Sequence, residues 1–222
     1  MMNRNTHQSL PSYNHGISTL FYLTFFVLFA SFGLAILFYR EPFLFWEHAF
    51  SDLGCTLTRQ GNPNLVPRLI YASGMLIEGL LLLRIGQHYA GERQFKNQTF
   101  KRVLAQLGVV GALVSIFPND LYHILHSIGS GILVGVVYFF TMIFHFESRQ
   151  YLPRWRFVFD IALLQLAVFP YAFAFFTNSE SKQSFQKLCL FGIFYALLSI
   201  VSASEQGIKP GEFFQGLSHS RR

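Results

Sequence analysis

Long apolar runs alternate with short polar stretches along this chain, and six of the runs predict helices. They are Ile17–Tyr39, Leu69–Tyr89, Val103–Phe117, Leu121–Phe146, Phe157–Thr177 and Phe185–Ala203. Most approach the roughly 20 residues a helix needs to cross a bilayer core. The third is stopped early by Pro118 and reaches only roughly 22 Å, short of a core of roughly 30 Å. Either its inner end enters the headgroup zone, or Pro118 and Asn119 lie below the outer surface and form a polar pocket there. The pattern predicts an all-α membrane protein, a bundle of six transmembrane helices. A polar segment 1–16 precedes the membrane domain 17–203, and a tail 204–222 with several glycines follows it. No repeat at a fixed period is visible.

Composition supports this division. Charged residues make up 13% of the chain and hydrophobic ones 52%, against about 25% charged in an ordinary soluble domain. The first run is too long for a signal peptide and no small-residue cleavage site follows it, so it is expected to remain in the mature chain. The net charge of +6 does not indicate nucleic acid, because the basic residues are scattered and no nucleic-acid motif accompanies them. They serve instead as topology signals and anchors at lipid headgroups. Membrane lipid is therefore the expected partner.

Counting Lys and Arg orients the bundle. One side holds Arg4, Arg84, Arg93, Lys96, Lys101, Arg102, Arg149, Arg154, Arg156, Lys209, Arg221 and Arg222. The other holds Arg40, Arg59, Arg68, Lys182 and Lys187. This asymmetry predicts both termini in the cytoplasm. Tyr151 and Trp155 then stand at the inner start of the fifth span, where an aromatic belt lies.

That orientation puts two polar motifs on the same, non-cytoplasmic side. One is His48-Ala49-Phe50-Ser51-Asp52-Leu53-Gly54; the other runs Phe117-Pro118-Asn119-Asp120-Leu121-Tyr122-His123-Ile124-Leu125-His126. A membrane tolerates ionisable groups poorly, so such a cluster is the first place to look for function. The candidate pocket comprises His48, Ser51, Asp52, Asn119, Asp120, His123 and His126. Asp120, His123 and His126 recur every three residues and would share a helix face, continued by Ser127 and Ser130. No cofactor is required by this pattern. Zinc is the candidate metal, with Asp52, Asp120, His123 and His126 as ligands, since it takes imidazole and carboxylate and leaves a position for water. The alternative reading is structural, with Asp120 as an N-cap or first-turn acid and the histidines bonded between helices.

Glu78 is the intramembrane acid, and an ionised group there costs about 2.5–3.5 kcal/mol. A proton path or a buried interhelical hydrogen bond would each account for it. Asp160, close to Arg154 and Arg156, reads as a charge anchor. Ser127, Gly131 and Gly135 recur every four residues and predict a close helix contact, with Gly108, Gly111 and Ala112 as the partner surface. Cys55 and Cys189 fall on the outer side, where either a disulfide or two free thiols is possible.

Ser51-Asp52-Leu53-Gly54 after the first span, Asn62-Pro63 before the second, Phe117-Pro118 ending the third and His126 early in the fourth resemble an uncharacterised prokaryotic membrane family, domain of unknown function 998. That resemblance implies a six-helix bundle in the cytoplasmic (inner) membrane, and no agreed activity. The chain is similar, more remotely, to six-span proteins of the damage-regulated autophagy modulator type. It departs from the seven-span zinc hydrolases, lacking a C-terminal H-x-x-x-H and a seventh span. Three functions remain. The first is a non-enzymatic membrane protein whose outer-face polar pocket binds a lipid or small molecule. The second is a metal-assisted lipid hydrolase or transferase, and the third a transporter resting on Glu78.

Overall fold

The computed structural model describes residues 15–91, 97–150 and 152–205. Arg4, Arg93, Lys96, Tyr151, Lys209, Arg221 and Arg222, with most of the two terminal segments, lie outside the described residues. The chain is all-helical: α1 (His15–Leu37), α2 (Leu65–Gly91), α3 (Gln98–Val114), α4 (His123–Ser148), α5 (Arg154–Phe176) and α6 (Lys182–Glu205). Five of these are long and apolar enough to cross a membrane; α3, with 17 residues, is the exception.

The helix ends follow local chemistry. α2 starts four residues earlier than its apolar run because Pro67 falls in the first turn, where a missing N–H costs nothing. α3 stops at Val114 because Pro118 disfavours helical geometry at Phe117. Ser115 Oγ donates to the Gly111 carbonyl at 2.7 Å and satisfies an end group. α4 starts at His123, two residues later than the sequence pattern places it. Asp120 therefore lies in the turn, outside the helix.

α1, α2, α3, α4 and α6 form a ring in which each packs on the next and α6 returns to α1. Phenylalanines fill its centre, with Phe21 edge-on to Phe140 and Phe144. α5 stands outside this ring. It packs along α6 and touches α4 only sparsely. The α4–α5 seam is pinned along one half, by Tyr138 Oη donating to Gln165 at 2.9 Å and by His145 Nε2 against Asp160 at 3.3 Å. At that same end Lys101 and Asn97 of the α2–α3 corner pair with Glu147. Asp160 thus meets His145 first and Arg156, at 3.8 Å, second. Arg156 also donates to the Ser199 carbonyl and hydroxyl on α6.

The glycine stripe on α4 does not do what its spacing predicts. The residue that meets α3 is Gly129, where an added Cβ would stand 2.6 Å from Ser115 N. Gly111 answers it from α3, with a Cβ there 2.8 Å from Leu133 N. Gly131 and Gly135 face open space. Two residues along a helix is a rotation of roughly 200°, so Gly129 and Gly131 occupy opposite faces. Four-residue spacing identified a face without showing which way it pointed.

Candidate functional site

The segment 38–64 forms a cap over one end of the bundle, and its first motif builds the cap. Phe50–Gly54 is a 3-10 turn. Asp52 Oδ2 closes the turn by accepting Ala49 N at 3.0 Å, and the same oxygen accepts from Arg59 at 2.9 Å. Leu53 is fully buried, and Gly54 is needed because a Cβ would press 2.9 Å from the Tyr71 ring. Phe50 stacks on Phe32 and Phe32 on Tyr71. Asn64 braces the turn from behind, donating to the Asp52, Leu53 and Cys55 carbonyls. Asn62 and Pro63 belong to a small reverse turn in which Thr58 N bonds Asn62 O. Gly61 supplies its positive φ of 84°.

α6 receives this cap. Ser184 Oγ donates to Trp46 O at 2.8 Å, and Phe50 N donates to Gln186 Oε1 at 3.0 Å. Lys187 is fully buried and donates to the His48 and Gln183 carbonyls, with Phe45 and Phe50 rings alongside.

The second motif locks the cap from the other side. Asp120 accepts Thr56 N, Thr56 Oγ1 and Leu57 N. Burial works against its charged form, yet the Thr56 and Leu57 bonds together hold the carboxyl below its usual range. This corrects the shared helix face expected for Asp120, His123 and His126, since Asp120 points into the cap. His126 is buried, with Nδ1 2.9 Å from the Phe117 carbonyl and Nε2 3.3 Å from Ser130 Oγ. Ser130 Oγ also lies 3.4 Å from Ser115 Oγ.

Between the cap, α4, α5 and α6 lies a cavity of about 520 Å³. Ser51, Asp52, Asn119, His123 and His126 line it, together with Ser127 and Ser130. His48 and Asp120 do not. His48 is packed edge-on to Tyr39 and Phe43, where burial, then Arg59, lowers its proton affinity. Gly131, Val134 and Gly135 of α4 face Val168, Ala172 and Phe175 of α5 across the unpinned half of the seam. A narrower, mostly apolar cavity of about 70 Å³ adjoins it, running inward past Phe32, Met75, Leu133 and Phe194. The two share Ser51, Ser130, Val134, Tyr171 and Gln186 as a throat.

Gln183, Gln186 and Tyr171 carry no motif and were not among the expected site residues. Gln183 and Gln186 lie in the first turns of α6, which starts at Lys182 rather than at the first apolar residue, Phe185, and Tyr171 lies on α5. Among the described residues, no three His, Cys, Asp or Glu side chains are placed to hold a metal ion. Asp52, Asp120, His123 and His126 are therefore not gathered into the zinc set expected of them: Asp52 turns to Arg59 and Asp120 to Thr56 in the cap, while His126 lies under it against Phe117 O. Cys55 and Cys189 are buried free thiols. Glu78 is buried on α2, with one carboxyl oxygen lacking a partner among the described residues.

No family model, curated protein or solved structure matches this chain.

Proposed function

We propose that this chain is a six-span membrane protein, both termini cytoplasmic, that binds an amphiphile such as a lipid in its outer-face cavity. In this reading α3 is the sixth span, its short length made up by the Ser115–Tyr122 turn. The Lys and Arg asymmetry supports the orientation. The observation that carries the binding function is the paired cavity: a roomy, mainly apolar mouth of about 520 Å³ that also carries Ser, Asn and His side chains, joined at a throat to a narrow apolar pocket of about 70 Å³. Ligand cavities are commonly about 300–1,000 Å³, mostly apolar with a few converging polar groups. The mouth offers Ser51, Asn119, His123 and Ser127 to a head group, and its one carboxylate, Asp52, is already neutralised by Arg59. The unpinned seam between α4 and α5 gives a lateral way in from the surrounding lipid. A prokaryotic inner membrane is the setting implied by the motif resemblance.

The test is photolabelling of reconstituted protein with a single-chain amphiphile carrying a diazirine on its acyl chain. Cross-links should map to narrow-pocket positions such as Met75, Leu133 and Phe194, and Gly135→Trp, which fills the mouth, should suppress them. Labelling confined to outward residues such as Phe169 and Phe173, unchanged by Gly135→Trp, would count against the proposal.

A further inference from the structure

We propose that Ser130 and His126 form a nucleophile–base pair for acyl transfer on an ester-bearing amphiphile. This inference rests on the amphiphile reading of the cavity. Helical hydroxyls normally donate back to a carbonyl one turn earlier. Thr24, Ser31, Ser115 and Thr141 do so here, whereas Ser18, Ser148, Ser184 and Ser130 do not. Ser130 Oγ instead sits between two acceptors, His126 Nε2 at 3.3 Å and Ser115 Oγ at 3.4 Å, with the Tyr71 hydroxyl also beside it, so its proton moves from Ser115 to Nε2 when the base engages.

The tautomer of His126 follows from its other contact. A carbonyl oxygen only accepts, so the Phe117 carbonyl at 2.9 Å requires the proton on Nδ1. Nε2 is then the basic atom, directed at Ser130 Oγ. A hydroxyl, a base within reach and a third group orienting the base is the arrangement that activates a nucleophile. The Pro118 turn makes this possible, because it ends α3 and leaves the Phe117 carbonyl free of a helical partner.

Position adds the substrate class. Ser130 lines both cavities and stands at the throat between them. An amphiphile with its chain in the narrow pocket and its head in the mouth places its head-to-chain linkage at the throat. In a glycerolipid or other acyl ester, that linkage is the ester carbonyl. Gln186 is also at the throat, and Phe50 N occupies its Oε1 at 3.0 Å. Its amide nitrogen, which lies against the Tyr171 hydroxyl, has a second N–H to offer a developing oxyanion.

The step balances. Ser130 Oγ bonds the carbonyl carbon while its proton passes to His126 Nε2. The ester C–O bond breaks, and the departing alcohol oxygen takes that proton. Water then attacks acyl-Ser130 by the same route, releasing the fatty acid and restoring Ser130. The products are a carboxylic acid and an alcohol from one ester and one water.

The test uses a long-chain alkyl fluorophosphonate on the full chain in phosphatidylcholine vesicles, with adducts mapped by peptide mass. The expected result is a single adduct on Ser130. It is lost in Ser130→Ala, slowed about 100-fold or more in His126→Gln, as removal of a general base should do, and retained in Ser115→Ala. An adduct on Ser51 or Ser127 instead would overturn the assignment. So would an unlabelled wild-type protein whose cavity still takes the diazirine photolabel. If neither probe reaches the cavity, the amphiphile reading fails and this inference fails with it.

Discussion

Three glycines on α4 give the sharpest test of the geometry, because similar substitutions should have opposite signs. Replacing a helical glycine by alanine gains about 1 kcal/mol from the backbone alone. At Gly131 an added Cβ meets nothing within 4 Å, and the same holds at Gly135, so the gain should appear undiminished. At Gly129 the Cβ would lie 2.6 Å from Ser115 N and 2.7 Å from Val114 C. Both are α3-end backbone atoms that cannot rotate away, so α3 must shift. Overpacking of this kind costs about 1–3 kcal/mol. Gly131→Ala and Gly135→Ala should each stabilise by up to about 1 kcal/mol, and Gly129→Ala should destabilise by up to about 2 kcal/mol net. Denaturant unfolding of the three variants in one detergent reads the sign directly. If Gly129→Ala were stabilising, or Gly131→Ala destabilising by 1 kcal/mol or more, the assignment of α4's faces would be refuted.

Asp120→Asn should cost about 1.5–2 kcal/mol at pH 7, the low end for charged hydrogen bonds at an exposed site. Because the folded carboxyl titrates below its usual range, that contribution is present above the unfolded pKa and lost as pH falls through the folded one. The gap between wild type and variant should therefore close towards strongly acidic pH; a constant gap contradicts the charged lock. Lys101→Met leaves Glu147 buried without its cation and should destabilise by about 3–5 kcal/mol, measured by thermal unfolding, with Lys101→Met/Glu147→Leu recovering much of the loss. Cys55, its thiol pushed up to about 12 by burial and then by Asp120 and Asp52, should resist iodoacetamide at pH 8 until the protein unfolds. Rapid alkylation of the folded protein would show the cap to be open.

Much of the fold was legible because lipid solvation writes it into the chain. Six helices appear within a few residues of the apolar runs, and residues of both polar motifs line one cavity at one end of the bundle. The roles within the motifs were not legible. Asp120 looked like a helix cap from its spacing, but α4 begins three residues later and the carboxylate turns to Thr56, 64 residues back. Such a partner leaves no periodic trace. Gly131 and Gly135 looked like a packing seam, and only the rotation of α4 about its axis shows them facing the cavity. Gln186 and Tyr171 gave no signal because glutamine and tyrosine near a helix end are common. His145 was missed for a related reason: its partner Asp160 lies on another helix, and arginines nearer in sequence seemed a sufficient match.

The central claim is that the cavity holds an acyl amphiphile. Native mass spectrometry of the detergent-solubilised protein, titrated with a single-chain glycerol ester, tests it most directly when wild type is compared with Gly131→Leu/Gly135→Leu. The double variant fills the α4 wall of the cavity without touching the α3 contact. Wild type should bind one equivalent, and the double variant should bind at least about tenfold more weakly, a difference of about 1.4 kcal/mol, while remaining folded. Equal binding by the two proteins would contradict the account.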